Sequence, residues 1–247
     1  MTRELTGATA LVTGASRGFG RAISTALLDA GARVVGVAHD QAALQELEHL
    51  REGFVGVAAD AADPAVAGRL LDEHHPTIIV LNAGANPLAR PLQHHTWQTF
   101  SRNWEVDVAQ AFHWTREILL RPVPDATVVT LSSGAAVQGS PLSGGYAGAK
   151  ATVRFISTYA ASEAQRDGLP VRFVALLPQL TPATALGARA VAAYARRQGV
   201  DVEAFLTARG PVLSPEQVGA AVLALVTDRG LDQDAYMLTA AGLAPLQ

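Results

Sequence analysis

The amino-acid sequence predicts an α/β protein built on a doubly wound parallel sheet. Two observations support this fold class. Short runs of β-branched and aliphatic residues recur along the chain, and each run is apolar at almost every position, as a strand covered on both faces must be. The segments between the runs have helical length, and strands that alternate with helices form parallel sheets with right-handed crossovers.

Six strands and five helices are predicted in this way. The strands are ATALVT (8–13), RVVGVA (33–38), FVGVAA (54–59), TIIVLN (77–82), ATVVTLS (126–132) and VRFVALL (171–177). The helices are predicted over 18–30, 40–51, 63–74, 96–121 and 146–167, and several begin at a Thr, Asp or Ser that can cap the first turn. One such cap is Asp63, which is followed by Pro64 at the first helical position.

The length and composition are those of one domain. The chain has 247 residues, of which 49% are hydrophobic and 17% charged, so it can bury a large core. No repeat or low-complexity linker divides it, and a single domain over 1–247 is expected. The segment 179–212, which we call the lid segment, interrupts the alternation and follows a strand end. It is interpreted either as a lid that binds the substrate or as an ordinary pair of surface helices.

Charge and cysteine content exclude several classes of function. The net charge is −3, so neither nucleic acid nor an anionic membrane is expected as a partner. The absence of cysteine excludes disulfides, thiolate nucleophiles and Cys-ligated metals. No stretch of about 18 uncharged apolar residues occurs, and a cytoplasmic protein is expected. The adjacent pairs His74-His75 and His94-His95 would point apart, so no metal site is expected.

A glycine-rich turn, TGASRGFG (13–20), follows the first predicted strand and leads into a helix. Glycine allows backbone conformations that other residues avoid, and it lets a pyrophosphate approach the free N–H groups of the helix N-terminus. The position after the first strand of an alternating pattern therefore favours a dinucleotide site. The spacing GxxxGxG, formed by Gly14, Gly18 and Gly20, differs from the GxGxxG of ordinary dinucleotide folds.

A second motif, YAGAK (146–150), places a tyrosine four residues before a lysine. Residues at this separation lie on one face of a helix. A phenol has a reference pKa of about 10 and is a poor base at neutral pH, so acid/base chemistry needs a neighbouring ammonium that stabilises the phenolate. The alternative interpretation is a buried Tyr146 and a solvated Lys150 on an amphipathic helix.

Together these motifs resemble the single-domain branch of the short-chain dehydrogenase/reductase family. The resemblance rests on TGASRGFG, on NAG (82–84), on Ser133 and on the Tyr146–Lys150 pair, in register from residue 8 to about 185. It implies a Rossmann-like sheet of about seven strands, the last of them within YMLTAAGLAPLQ near the C-terminus. It also implies hydride transfer between a nicotinamide cofactor and a carbonyl or secondary alcohol substrate.

The resemblance also implies a role for each member of the catalytic set. Tyr146 would donate or accept the proton at the substrate oxygen, while Lys150 would favour the phenolate and hold the nicotinamide ribose. Ser133 would donate a hydrogen bond to the substrate oxygen, and its neighbour Ser132 is the weaker candidate. Asp107 occupies the place of an asparagine that the family associates with a proton relay. Since a carboxylate near Lys150 favours the ammonium, we expect a working relay with altered pH dependence; a local cap is the alternative.

Cofactor preference depends on the end of the second strand, where a carboxylate would bind a ribose 2′-hydroxyl and repel a 2′-phosphate. The position of that acid is Ala38, and Arg17 can meet a phosphate, so NADP(H) is favoured over NAD(H). Asp40 keeps NAD open because a shift of one residue would restore the contact. By the resemblance, Asp60 meets the adenine. The full cofactor-binding set is Gly14, Ser16, Arg17, Gly18, Phe19, Gly20, His39, Asp60, Asn82, Gly84, Tyr146, Lys150, Pro178 and Thr181.

The loop after the sixth strand departs from the family pattern. Gln179 stands where glycine commonly follows Pro178, and either Thr181 or Thr184 could reach the nicotinamide carboxamide. The two long helices, 96–121 and 146–167, favour a homo-oligomer, a tetramer or a dimer. Two other functions stay open: a dinucleotide-binding regulator or scaffold with a vestigial site, and an S-adenosylmethionine site, which the YxxxK motif disfavours.

Overall fold

The computed structural model describes residues 5–246. Its strands form one sheet of eight in the order β3-β2-β1-β4-β5-β6-β7-β8. The strands are β1 (Thr9–Thr13), β2 (Arg33–Ala38), β3 (Phe54–Ala58), β4 (Ile78–Leu81), β5 (Ala126–Leu131), β6 (Val171–Pro178), β7 (Ala235–Thr239) and β8 (Gly242–Pro245). The first seven are parallel, and β8 returns antiparallel to β7.

The helices follow the predicted alternation. They are α1 (Gly18–Asp29), α2 (Gln41–Leu50), α3 (Pro64–His74), α4 (Trp97–Asn103), α5 (Ala109–Leu120), α6 (Ala135–Gln138), α7 (Gly144–Arg166), α8 (Ala185–Gln198), α9 (Val202–Arg209) and α10 (Pro215–Thr227), with a 3₁₀ turn at Leu92–His94. The predicted helix 96–121 is continuous in backbone direction but contains a π-helical segment, Trp104–Val108, between α4 and α5. Asp63 caps α3 by accepting a hydrogen bond from the Ala65 amide, as predicted.

The predicted fold class is confirmed, and the number of strands was underestimated by one. The strands are apolar on both sides because each side packs against its own layer of helices. One layer of the core contains Val12, Val34 and Val174, and the opposite layer contains Leu11 and Phe173. β8 was missed because it is a short edge strand after a tight turn, in which Gly242 adopts a φ of +117°.

The chain reverses its direction of winding between β1 and β4. β1 pairs with β2 on one side and with β4 on the other, so the loops after β1 and β4 diverge at the carboxyl edge of the sheet. Ligands of doubly wound sheets bind in the crevice at such a point.

The lid segment forms the helix pair α8 and α9 and has a small hydrophobic core of its own. Val191, Ala195 and Phe205 are buried there, and Leu180 and Tyr194 pack against them. This cluster is separate from the two layers that cover the sheet. Among residues 5–246, no helix combines the length and apolar character needed to cross a membrane.

Candidate active site

A cavity of about 820 Å³ opens at the carboxyl edge of the sheet, over the reversal point. It brings together residues from the ends of β1, β2, β4, β5 and β6 with residues of α7 and the lid segment. All of the candidate site residues predicted from the sequence line this cavity except Gly20. Its volume falls within the range of about 300–1,000 Å³ that small-molecule and cofactor sites occupy.

The glycine-rich turn has the backbone that its sequence requires. Gly14 and Gly18 have φ values of +67° and +54°, a region that side chains disfavour. At Gly20, a Cβ atom would lie only 2.0 Å from the Gly14 carbonyl oxygen, so glycine here allows α1 to start against the strand end. Arg17, at the N-cap of α1, makes no side-chain capping bond, and the N–H groups of the first turn stay available to an anion.

Asn82 holds the two diverging loops together. Its Nδ2 donates to the Thr13 carbonyl at 2.9 Å and to the Gly14 carbonyl at 3.3 Å. In return, Thr13 Oγ1 accepts from the amides of Asn82 and Ala83, at 2.9 and 3.1 Å. Thr13 was not identified from the sequence, because a fully buried threonine at a strand end has the pattern of any other core residue.

Three polar side chains around the π-helical segment bind the loop that follows β4. Gln110 Nε2 donates to the Ala83 carbonyl at 2.9 Å, and Asn103 Nδ2 donates to the Ala85 carbonyl at 2.8 Å. Asp107 Oδ1 accepts from the Ala85 amide at 2.8 Å. A π-helical turn contains one more residue than an α-helical turn, and such turns are frequent at functional sites. Here all three side chains point from the helix toward the loop. Asn103 and Gln110 were not identified from the sequence.

Lys150 is buried and is paired with Asp107. Its Nζ lies 3.2 Å from Asp107 Oδ2 and donates to the Leu131 carbonyl at 2.9 Å, while the side chains of Lys150 and Asp107 are 7% and 1% exposed. Burial by itself would lower the pKa of Lys150, but the charge of Asp107, with a smaller contribution from Tyr146, outweighs burial and raises that pKa. The interpretation of Lys150 as a solvated surface residue is therefore wrong.

Tyr146 and Ser133 face the same cavity as Lys150. The Lys150 Nζ lies 5.8 Å from the centre of the Tyr146 ring, and Tyr146 is half-buried. The neighbouring serines have different environments. Ser132 is buried and donates to the Lys150 carbonyl at 2.8 Å, which ties α7 to the end of β5. Ser133 is half-buried and accepts a 3.2 Å hydrogen bond from the Ala135 amide.

At the other end of the cavity, the residues after β2 and β3 lie side by side. His39 is exposed, and its Nε2 is 3.6 Å from Asp60 Oδ1. Ala38, where a family acid would stand, is the last residue of β2. The Asp40 carboxylate caps α2 by accepting from the Ala43 amide at 3.1 Å.

The loop after β6 uses its polar groups internally. Gln179 Nε2 donates to the Pro211 carbonyl at 3.2 Å. Thr181 is buried, and its hydroxyl donates to the Leu213 carbonyl at 2.6 Å. Thr184 instead caps α8, accepting from the Gly187 amide at 3.1 Å. Thr181 and Thr184 both line the cavity, as does Pro178.

Residues 8–194 match the protein family described as short chain dehydrogenase. The chain belongs to this family. The resemblance stated from the sequence is thereby confirmed, and the chain is a nicotinamide-dependent oxidoreductase.

Individual proteins are similar to this chain in sequence or in structure. An uncharacterized short-chain type dehydrogenase/reductase of Sinorhizobium fredii is 31% identical over 176 residues, 68% of each chain. Human L-xylulose reductase is 35% identical over 133 residues, 52% of this chain and about half (54%) of the human protein. A crystal structure of 3-ketoacyl-(acyl-carrier-protein) reductase from Brucella melitensis, complexed with NADH, has the same fold, with a TM-score of 0.77, 22% identity and coverage of 95% and 97% of the two chains.

Within residues 5–246, no three His, Cys, Asp or Glu side chains gather closely enough to hold a metal ion. The four histidines that occur as adjacent pairs have local partners or local roles. His95 contacts Thr99 and the Arg90 carbonyl, and His75 ends α3 in the left-handed region.

The Lys150–Asp107 pair makes stability depend on pH in the alkaline range. A lysine whose pKa is raised in the folded state contributes stability that is present below its ordinary value of 10.5 and lost as the pH rises through the folded-state value. We expect Asp107→Asn to lower the free energy of unfolding by about 1–3 kcal/mol at pH 8. That deficit should shrink above pH 10.5, because the wild-type lysine then loses its charge. Urea unfolding at a series of pH values measures both.

Asp72→Asn is the matched control, since it removes a carboxylate that pairs with Arg121 on the surface. Its effect should stay within about 0.5 kcal/mol at every pH. A deficit for Asp107→Asn that grows above pH 10.5 would contradict the assignment of the pair.

Proposed function

We propose that the protein is an NADP(H)-dependent oxidoreductase of small carbonyl or secondary alcohol substrates, formed by a single domain over 1–247. The observation that carries this proposal is the meeting of Tyr146, Ser133 and Lys150 with the glycine-rich turn in one cavity. The cavity suits a dinucleotide, because its first helix offers unpaired N–H groups beside glycines that leave room for a pyrophosphate. A bound nicotinamide would supply or accept the hydride.

Tyr146 is proposed to transfer the proton. In carbonyl reduction its hydroxyl gives a proton to the substrate oxygen as negative charge develops there, and in alcohol oxidation the proton moves the other way. Ser133 Oγ accepts from the Ala135 amide, so its own hydrogen can be donated to the same substrate oxygen. Because the Ser132 hydroxyl already donates its hydrogen to the Lys150 carbonyl, Ser133 is the better candidate for the serine that binds the substrate.

Lys150 is proposed to act on both the tyrosine and the cofactor ribose. An ammonium has three N–H donors. The Leu131 carbonyl accepts one, and Asp107 lies close enough to accept a second, so at least one remains for a ribose hydroxyl or the Tyr146 oxygen. We propose Asp107 as the residue that positions this lysine and joins it to the loop at Ala85.

Residues around the cavity are proposed to bind the rest of the cofactor. Gly14, Ser16, Gly18 and Phe19 would surround the pyrophosphate, and Gly20 would let the helix approach it. At the adenosine end, Asp60 would meet the adenine ring. Asn82 and Gly84 would support the middle of the cofactor, and Pro178 with Thr181 would reach the nicotinamide. The Thr181 hydroxyl would have to leave the Leu213 carbonyl for that contact, which keeps Thr184 as the alternative.

The NADP preference rests on charge. Arg17 lines the cavity at the N-cap of α1 and His39 lines it just after β2, and the nearby carboxylate of Asp40 already caps a helix. Arg17 offers a cationic donor to a ribose substituent, and Ala38 at the end of β2 offers no carboxylate acceptor. The Brucella melitensis structure contains NADH, but at 22% identity it shares only the fold with this chain. The preference of this chain between NADP(H) and NAD(H) is therefore inferred from its own residues.

Human L-xylulose reductase is named for the reduction of a sugar, which supports a small carbonyl compound as the substrate class of this chain. We also propose a homo-oligomer, a dimer or tetramer, that assembles through α4, α5 and α7. These helices expose large apolar side chains, namely Trp97, Phe112, Leu120, Phe155 and Tyr159. Exposed apolar clusters of this kind mark interaction surfaces.

The catalytic proposal is tested by Tyr146→Phe. Removal of one hydroxyl should lower the rate of carbonyl reduction by about 100-fold or more, because general acid catalysis is lost, while NADPH still binds. Rates are measured with NADPH and a panel of small aldehydes, ketones and diketones. Tyr159→Phe, an exposed tyrosine on the same helix, is the control and should retain the wild-type rate. Equal rates in Tyr146→Phe and wild type would refute the assignment.

The cofactor proposal is tested by Arg17→Ala. Loss of a guanidinium at the 2′-phosphate should weaken NADPH binding about tenfold or more and leave NADH binding within about twofold. Titration with each nucleotide, followed by nicotinamide fluorescence, measures this. Arg21→Ala is the matched control, since Arg21 lies on the same helix but pairs with Glu46. If neither nucleotide bound the wild-type protein, a regulator with a vestigial site would replace the enzyme.

Assembly is tested on Phe155 and Tyr159, whose rings stack on each other at 6.0 Å. We expect sedimentation equilibrium to give the mass of a dimer or tetramer for the wild type and of a monomer for the double variant Phe155→Glu with Tyr159→Glu. Charges in a buried apolar interface are costly, which is the reason for dissociation. Leu50→Glu, an equally exposed leucine on α2, should leave the mass unchanged. A monomeric wild type would refute the oligomer.

A further inference from the structure

The part of the cavity beside Tyr146 carries two uncompensated positive charges. The residues that line this part of the cavity lie within 133–146 and 178–209. They include no Asp or Glu, and the charged residues among them are Arg189 and Arg209 of the lid segment. Neither arginine has a carboxylate within 4.0 Å among residues 5–246. Both guanidinium groups are exposed at the rim.

The carboxylates of the same cavity are elsewhere and are already engaged. Asp40 caps α2, and Asp60 accepts from the Ala62 amide beside His39. Asp107 pairs with Lys150. The acidic lining residues therefore lie at the adenosine end or on the lysine, and the field at the lid is positive.

Arg209 is held by a row of aromatic and hydroxyl groups that leads to the catalytic helix. Its Cζ lies 5.4 Å from the centre of the Phe205 ring, and that ring stacks on Tyr194 at 6.3 Å with an angle of 7°. The Tyr194 hydroxyl is hydrogen-bonded to Ser140 Oγ, which is 2.7 Å from Ser143 Oγ. Ser143 directly precedes α7, so the position of Arg209 is linked to that of Tyr146.

Arg189 lies where the main cavity meets a second, smaller pocket. Besides the main cavity, it lines a small adjoining pocket together with Asn86, Leu142, Ser143 and Tyr194. This pocket is formed by the loop after β4, the residues just before α7 and one side of α8, and it includes no residue of the glycine-rich turn. The surroundings of Arg189 are thus those of the substrate rather than of the cofactor pyrophosphate.

We propose that the substrate carries an anionic group, a carboxylate or a phosphate, which Arg189 and Arg209 bind at the rim while its carbonyl lies at Tyr146 and Ser133. This inference rests on the proposed function and narrows its substrate class from small carbonyl or secondary alcohol compounds in general to anionic ones. Guanidinium groups without a counter-ion bind such oxyanions through charge-assisted, often bidentate hydrogen bonds.

The lid segment also supplies the control for this proposal. Arg196 and Arg197 lie in the last turn of α8, are exposed, and do not line the cavity. A substitution at Arg196 removes the same charge from the same helix but at a distance from the substrate. It separates direct binding from a change in net charge.

The experiment compares straight-chain oxo carboxylates of increasing length with their neutral amides and with a phosphate ester of a hydroxy ketone. NADPH-dependent kcat/KM is measured for the wild type and for Arg189→Gln, Arg209→Gln and Arg196→Gln. We expect the wild type to prefer the anionic compound over the amide. The ratio of the two kcat/KM values should fall about tenfold or more in Arg189→Gln and Arg209→Gln, and stay within about twofold in Arg196→Gln.

A second measurement does not depend on turnover. Calorimetric titration of the oxo carboxylates and amides into the Tyr146→Phe protein, with and without NADPH, should show tighter binding of the anion and loss of that difference in Arg189→Gln. Equal preference for anion and amide in the wild type, or weaker NADPH binding in Arg189→Gln with an unchanged ratio, would overturn the inference. If the anions bind but no carbonyl compound is reduced, the proposed function fails and the anion site stands.

Discussion

The active-site region depends on one buried ion pair. Lys150 comes from α7 and Asp107 from the π-helical segment, and through them the end of β5 and the loop after β4 are joined at a single point. A buried cation without its counter-ion would be strongly unfavourable, so this pair requires the four elements to meet with correct geometry. The geometry of the candidate site and its local stability therefore depend on the same contact, so a change to one is expected to change the other.

Much of the fold could be predicted, because strands covered on both faces carry a strong apolar signal. All six predicted strands end within one residue of the observed strands, and the helices between them follow the predicted order. The π-helical segment could not be predicted, since the apolar periodicity of 96–121 is compatible with an uninterrupted helix. β8 was also missed, because four residues at an edge, of which only Leu243 is half-buried, carry too little pattern.

The candidate site was predictable where a motif is local. The glycine-rich turn and the Tyr146–Lys150 pair are short sequence patterns. Because the strands are parallel, the loops that follow them meet at one edge of the sheet, where the cavity lies. Thr13, Asn103 and Gln110 were missed because each binds backbone groups far away in sequence. The arginines of α8 illustrate the same limit. Arg189 and Arg196 are seven residues apart and share a helix face, so only the position of the cavity along the helix axis distinguishes them.

The small core of the lid segment has an evolutionary consequence. Because Val191, Ala195 and Phe205 pack against one another and not against the layers beside the sheet, substitutions in α8 and α9 have little effect on the packing of the sheet. Selection can then exchange the residues at the cavity rim while the sheet and the glycine-rich turn stay intact. A lineage built on this architecture can therefore vary the rim of the cavity with little change to the layers that cover the sheet.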